Sequence, residues 1–401
     1  MIINDATWEF IRSHLHADVR KLALQGTKNA AVDLTMALQQ IAGRQTAQKK
    51  LPSWAAIEGV VFPPHLNMEQ CSSELTARYK AEVVRELCNH GVYLDLTGGF
   101  GVDFYWMSQP FQQRVYVEQN EALCAVAEHN FNILGHACRV VSGTAAEVLK
   151  QTTRADAVFL DPARRDEHGA RTYGIGDCTP NVLELLPSLM EKSHCVLLKL
   201  SPMLDWRKTV SDLQHVSEVH IVSVDNECKE LLVVMSNDAE LQRVVCVNLS
   251  ADKEASLFAF HYPTVEAPDA SLPIRSANLS PFHYLYVPNA SIMKAGCFSE
   301  VATRYAVCQL SSNSHLFVSA DEVAVFPGRR FRIQAVTSMN KHELREQLAG
   351  IRQANISVRN FPLTAEALRK KLKLKDGGDT YIFATTDHNQ QHKLFICCKI
   401  G

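Results

Sequence analysis

Tyr93–Asp103 reads Y-L-D-L-T-G-G-F-G-V-D, an apolar strand that runs into a glycine turn and then a helical pattern. Asp95 stands four residues before Gly99 and six before Gly101, the order D-x-x-x-G-x-G. A carboxylate at a strand end and a bare backbone turn beside it suit close approach to a nucleoside, because glycine leaves the turn without side chains and free to take positive φ. The dinucleotide fingerprint G-x-G-x-x-G would place a third glycine at 104, and Phe104 stands there instead. The close helix packing and pyrophosphate approach of that fingerprint are therefore not supported.

The spacing points to S-adenosylmethionine as the cofactor, and the residues downstream extend the unit. Val115-Tyr116-Val117-Glu118 forms a second strand pattern, with Glu118 seventeen residues after Gly101. A carboxylate there suits both hydroxyls of a ribose. Asn120 precedes Leu123, Val126, Ala127, Phe131 and Leu134 at helical spacing, as a capping residue would. Arg139–Ser142 reads as a third strand leaving through Gly143-Thr144-Ala145, so Thr144 and Ala145 are candidate adenine contacts at the carboxyl edge of a parallel sheet. The apolar run Ala157–Leu160 suits a strand buried on both faces and delivers Asp161-Pro162-Ala163-Arg164-Arg165 to the same edge.

With these residues the chain resembles the class I S-adenosylmethionine-dependent methyltransferases, specifically the bacterial group with a C-terminal THUMP-like domain. The phrases that carry the resemblance are Gln70–Ser73 with Thr76–Lys80, Asp95–Asp103, D-P-A-R-R at 161–165, K-L-S-P-M-L-D at 199–205, and Tyr286–Gly296. It implies cofactor contacts at Asp95, Gly99, Gly101, Glu118 and Asp161; Thr97 in the turn joins them as a candidate. The implied fold is α/β, a Rossmann-like seven-stranded methyltransferase sheet. A helical N-terminal region precedes it and small α+β domains, ferredoxin-like and THUMP-like, come after it. The THUMP-like domain suggests RNA by analogy.

Composition agrees with a soluble globular protein: 401 residues, 46% hydrophobic and 21% charged. There is no basic start followed by an apolar core and no run of 18 uncharged apolar residues, so the cytoplasm is the expected compartment. None of the twelve cysteines forms a C-x-x-C, and the one close pair, Cys397-Cys398, is adjacent in a strand pattern. Reduced, mainly buried thiols are expected, and no metal; His388 and His392 are four apart without a cluster around them.

The organisation reads as a helical region over 1–78, the methyltransferase domain over 79–238, a β-rich and ferredoxin-like module over 239–326, and a basic THUMP-like domain over 327–401. Near the end of the sheet, strand patterns at Val219–Val224 and Leu231–Met235 flank six residues, a long connection for a tight hairpin. An antiparallel last strand is what the resemblance implies there. Residues 327–401 hold 14 Lys and Arg against 6 Asp and Glu, a balance of +8 inside a chain of net −2. Such a segment suits an anionic partner, since phosphate neutralisation supplies most non-specific nucleic-acid affinity. Arg329, Arg330, Lys370 and Lys371 lie in its two densest clusters; solvated helix faces are the alternative.

Methyl transfer requires alignment and desolvation of a nucleophile, with proton removal where needed. Asp161 and Pro162 are the candidate catalytic pair. Base-amine methyltransferases often carry a second proline and an aromatic after such a pair; Ala163 and Arg164 stand in those positions, and Tyr173 is the candidate replacement for the aromatic. Arg164, Arg165 and Arg171 are candidate phosphate or carboxylate clamps, with salt bridging to Asp166, Glu167 or Asp177 as the alternative. Lys199 is a candidate phosphate contact or lid. Cys178 as a covalent nucleophile is the weaker option against a loop cysteine packed under a helix. The expected function is methylation of a base in structured RNA, tRNA or rRNA. The alternatives are methylation of a protein or small molecule, and a binding protein of the same fold without turnover. The oligomeric state is not legible.

Overall fold

The structure, a computed structural model, describes residues 3–164, 174–237, 239–262 and 282–400, with Arg164 described by its backbone alone. The chain divides into two compact units. The first comprises 1–224, 229–242 and 250–252; the second comprises 225–228, 243–249 and 253–401.

The first unit opens with six helices: α1 Asp5–Ser13, α2 Val19–Gln25, α3 Leu34–Lys50, α4 Pro52–Ala55, α5 His65–Gln70 and α6 Glu74–Leu87. Short polar side chains start four of them. Asn4, Asp18, Asp33 and Ser73 each accept a backbone N–H from the first turn of α1, α2, α3 and α6. Because Ser73 starts α6 and no breaker interrupts it, the helix runs through residue 78. The sequence-based boundary at 78 falls inside it.

Two buried amides secure the extended segment at Val61 and Phe62, between α4 and α5. Gln40 accepts the N–H of Phe62 at 2.8 Å and donates to its carbonyl at 2.9 Å. Asn130 does the same for Val61, at 2.8 Å on both sides. These bonds satisfy buried backbone groups that have no sheet partner.

Seven strands of a nine-stranded sheet are described with this unit: β1 Val92–Asp95, β2 Gln113–Glu118, β3 Arg139–Ser142, β4 Ala155–Leu160, β5 Ser193–Leu200, β6 Val216–Val224 and β7 Glu227–Met235. Their order is β3-β2-β1-β4-β5-β7-β6. The β1–β2, β1–β4, β2–β3 and β4–β5 pairs are parallel, whereas β7 runs antiparallel to β5. Helices α7 Val102–Met107, α8 Glu121–Ile133, α9 Ala145–Gln151, α10 Val182–Lys192 and α11 Trp206–Leu213 alternate with the strands. Asn120 caps α8 through the N–H groups of Ala122 and Leu123, and Thr144 with Glu147 forms a capping box on α9. The core between sheet and helices is aromatic, with Tyr93, Phe104, Phe111, Tyr116, Phe131 and Phe159 all buried.

The connection between β6 and β7 is tighter than the sequence patterns indicate. Both strands are longer, and only Asp225 and Asn226 join them, with φ of +48° and +66°. Asx residues reach that left-handed geometry at small cost, and two in succession make the turn whose twist suits a hairpin.

The second unit holds an antiparallel pair, β8 Arg243–Leu249 with β9 Ser256–His261, and a seven-stranded sheet. That sheet is built from β10 Tyr284–Pro288, β11 Cys308–Gln309, β12 Phe317–Ser319, β13 Gly328–Thr337, β14 Asn355–Arg359, β15 Thr380–Thr386 and β16 His392–Ile400. Their order is β11-β12-β10-β13-β16-β15-β14. Helices α12 Ala290–Ala295 and α13 Phe298–Tyr305 come after β10, and α14 Lys341–Gln347 and α15 Ala365–Leu372 flank β14. Among the described residues no helix is long and apolar enough to cross a membrane, and no His, Cys, Asp and Glu group is arranged to hold a metal.

Candidate active site

The carboxyl ends of β1, β2, β3, β4 and β5 open into one cleft of about 860 Å³ in the first unit. That size suits a small-molecule or cofactor site. Asp95, Thr97, Gly99, Gly101, Glu118, Thr144, Ala145, Asp161, Pro162 and Lys199 all line it, so residues selected from separate stretches of sequence meet there. The edge of a parallel sheet where connections diverge to opposite sides is where such ligands sit.

The glycine turn is built for close approach. Gly99 and Gly101 have φ of +54° and +85°, conformations that L side chains rarely adopt. A Cβ on Gly98 would fall 2.1 Å from the buried ring of Tyr116, whose hydroxyl donates to the Gly99 carbonyl at 2.5 Å. Glu118 stiffens the turn from the β2 side: one carboxylate oxygen accepts the Gly99 N–H at 2.9 Å and the other accepts the Asn120 N–H at 2.9 Å. A carboxylate has about four lone-pair positions, so two stay available to a ligand in the cleft.

Asp95 is 1% exposed and accepts the Thr97 N–H at 2.9 Å. Burial pushes its carboxyl well above the ordinary range; the Thr97 N–H opposes that, and the nearby Asp103, Asp161 and Glu118 reinforce it. Thr97 also reaches β4, its Oγ1 accepting the Asp161 N–H at 2.6 Å. Lys199, placed by the sequence as a phosphate contact or lid, donates to Asp161 Oδ2 and lies 3.6 Å from Asp103 Oδ2. Burial alone would lower its pKa, but the carboxylates of Asp161, Asp103 and Glu230 outweigh burial and hold it raised.

Behind Lys199 lies a set of residues whose connection the sequence does not display. Lys80, fully buried, is 3.2 Å from Asp103 Oδ1 and 2.6 Å from Glu230 Oε1. Ser72 donates to Asp103 Oδ2 at 2.7 Å. Ser72 and Lys80 belong to a stretch that carries the resemblance, and Asp103 stands two residues after Gly101. No spacing rule joins them to Glu230, because each comes from a different part of the fold.

Cys178 is 5% exposed in a short strand, Cys178–Thr179, paired with Ala163–Arg164. The side chain of Arg164, and Arg165, Arg171 and Tyr173, lie outside the described residues. Arg329, Arg330, Lys370 and Lys371 belong to the second unit. There Arg330 pairs with Glu322 at 3.0 Å and Lys370 with Glu366 at 3.2 Å, while Arg329 stacks over Phe331.

Comparison with known proteins gives the class. A family model described as THUMP domain-like matches residues 328–399, and one described as a ferredoxin-like domain matches 284–327. A crystal structure from Porphyromonas gingivalis W83, described as that of a candidate methyltransferase, matches 100% of both chains at 29% identity with a TM-score of 0.85. M. capricolum TrmK in complex with S-adenosyl-homocysteine matches 44% of this chain and 71% of its own at 13% identity, TM-score 0.31. A candidate RNA methyltransferase from Pyrococcus horikoshii matches 48% of this chain and 98% of its own at 14% identity, TM-score 0.33. No curated protein matches by sequence. The first unit therefore carries the methyltransferase fold, and the second carries ferredoxin-like and THUMP-like domains. The chain is thus similar over its whole length to a candidate methyltransferase structure, and over residues 284–399 to the ferredoxin-like and THUMP domain-like families.

Proposed function

We propose that the protein is an S-adenosylmethionine-dependent methyltransferase that modifies a base nitrogen in structured RNA, tRNA or rRNA. The observation that carries the proposal is the convergence of Asp95, the Thr97–Gly101 turn, Glu118, Thr144, Ala145 and Asp161 on one cleft. The residues fit the cofactor. Glu118 has lone pairs to spare for the ribose hydroxyls, the turn at Gly99 and Gly101 exposes backbone without side chains, and Thr144 and Ala145 flank the place of the adenine. Asp95 and Thr97 complete the cofactor side.

When bound, S-adenosylmethionine supplies an electrophilic methyl group. Asp161 accepts the N–H of the acceptor base, directs the nitrogen lone pair and receives the proton that the nitrogen sheds. Pro162 fixes the backbone beside it. Thr97 holds the Asp161 backbone, so the two sides of the cleft are in register. Arg164, Arg165 and Arg171, with Tyr173, which follow Asp161 in the sequence, are the proposed substrate contacts. Arg329, Arg330, Lys370 and Lys371 are the proposed RNA contacts of the basic THUMP-like domain, where the charge balance favours a phosphate backbone.

The test compares Asp161→Ala with the wild type. Transfer into RNA falls by about 100-fold or more, while S-adenosylhomocysteine affinity changes by about tenfold at most. Transfer at the wild-type rate would remove Asp161 from the chemistry.

A further inference from the structure

The motif Gln70–Lys80 contributes two buried polar residues, Ser72 and Lys80, that cofactor binding and methyl transfer as proposed do not use. Both point into a continuous charged ladder. It runs from Glu230 on β7 to Lys80 on α6, on to Asp103 on α7, then Lys199 on β5, and ends at Asp161 after β4. Ser72 braces the middle, donating to Asp103 and accepting from Lys80 at 3.2 Å.

Two ammonium groups face three carboxylates, which leaves one formal negative charge. The ladder opens at a single end, because the side chains of Lys80, Glu230, Asp103 and Lys199 are 0, 5, 10 and 12% exposed and that of Asp161 is 37% exposed. A buried array of this kind is costly to assemble in place of apolar packing and is weak evidence for stability. What it provides is a fixed arrangement at its open end.

The backbone of Asp161 is already pinned by Thr97, and Pro162 is the next residue. The remaining freedom is rotation of the side chain, and the bond from Lys199 to Oδ2 removes it. Lys199 is itself held from behind by Asp103, and Asp103 by Lys80 and Ser72. Its raised pKa excludes Lys199 as a proton acceptor at neutral pH.

We infer that Lys199 is a positioning residue for methyl transfer, which orients the Asp161 carboxylate toward the acceptor and is held in place by Asp103, Lys80 and Ser72. This inference rests on the assignment of Asp161 as the group facing the acceptor. It gives the Gln70–Lys80 motif a part in the site that is not contact with the cofactor.

The experiment uses the full chain in four forms: Lys199→Met, Lys199→Arg, Asp103→Asn and Asp161→Ala. In Lys199→Met, kcat for transfer into RNA from cells lacking the protein falls by about 100-fold, the loss that a displacement of about 1 Å brings. The KM for S-adenosylmethionine changes by about threefold or less. Lys199→Arg restores most of the rate, and Asp103→Asn, which is isosteric, shows the same kcat loss in smaller measure. Combined with Asp161→Ala, Lys199→Met lowers kcat by about threefold or less beyond Asp161→Ala alone, because a residue acting through Asp161 has nothing left to act on. Independent losses that multiply would overturn the inference.

A second readout does not need turnover. Crystals of Lys199→Met and Lys199→Arg with S-adenosylhomocysteine show the Asp161 carboxylate turned away in the first and in its wild-type place in the second. An unmoved carboxylate in Lys199→Met would overturn the inference even if transfer is lost. If the wild type methylates nothing while the carboxylate turns as expected, the RNA methyltransferase proposal falls and the positioning of Asp161 by Lys199 stands.

Discussion

Glu118 accepts the backbone N–H of Gly99 at 2.9 Å, so the acidic end of β2 props the glycine turn after β1. One side chain thus serves the turn and, under the proposed function, the ribose. Glu118→Ala removes both. Each hydrogen bond to a charged group contributes about 1.5–3 kcal/mol, so S-adenosylhomocysteine affinity is expected to fall by about 100-fold or more in calorimetric titration. A change within about threefold would separate Glu118 from the cofactor.

Gly98 is expected to tolerate no side chain. A Cβ there would meet the Tyr116 ring at 2.1 Å, and that ring is fully buried among Phe104, Phe131 and the sheet. Overpacking of this kind costs about 1–3 kcal/mol. Gly98→Ala should lower the urea midpoint and cofactor affinity together, since the turn and the ring cannot both keep their places. Equal stability in the two proteins would contradict the packing.

His136 sets a pH dependence. It is buried, Arg114 donates toward its Nδ1 at 3.4 Å, and Nε2 lies 2.8 Å from the Ser108 hydroxyl. Arginine only donates, so Nδ1 accepts and Nε2 carries the proton. Burial, and then Arg114, depress the pKa to about 4 from the ordinary 6.5. Between those values the unfolded chain binds the proton and the folded one does not. Stability is therefore full above about pH 6.5 and declines as pH falls toward 4. Replacing His136 with Asn should flatten the decline, by up to about 1.4 kcal/mol per pH unit. A difference of the opposite sign would contradict the neutral ring.

Within the basic cluster at 369–375 two charges are already paired. Arg369 pairs with Asp376 at 2.5 Å and Lys370 with Glu366, whereas Lys371 and Lys373 lie on and just after α15. If they meet RNA phosphates, Lys371→Glu with Lys373→Glu weakens RNA binding at low salt. It also reduces the slope of log affinity against log salt by about 1.4–1.8, two contacts' worth. An unchanged slope would remove this cluster from RNA docking.

The fold was legible where a residue's own conformational needs dictate the chain. Gly99 and Gly101 announce a turn because other residues suffer steric strain there, and Asn120 announces α8 because its side chain bonds the first turn. Strands β1 and β4 show as apolar runs because both faces are covered. Less was visible where geometry depends on two Asx residues turning left-handed, as at Asp225-Asn226, which the sequence patterns make a longer connection. The ladder from Glu230 to Asp161 was the least visible. Its members lie up to 150 residues apart in sequence, and a lone buried lysine such as Lys80 looks like any surface lysine until its partners are assembled around it.

The most direct test of the central claim is transfer of a labelled methyl group from S-adenosylmethionine into the RNA and protein fractions of cells lacking this protein. The expected result is label in one RNA species, dependent on Asp161. Label confined to protein, or absent from every fraction while S-adenosylhomocysteine still binds, would contradict the assignment of RNA as substrate.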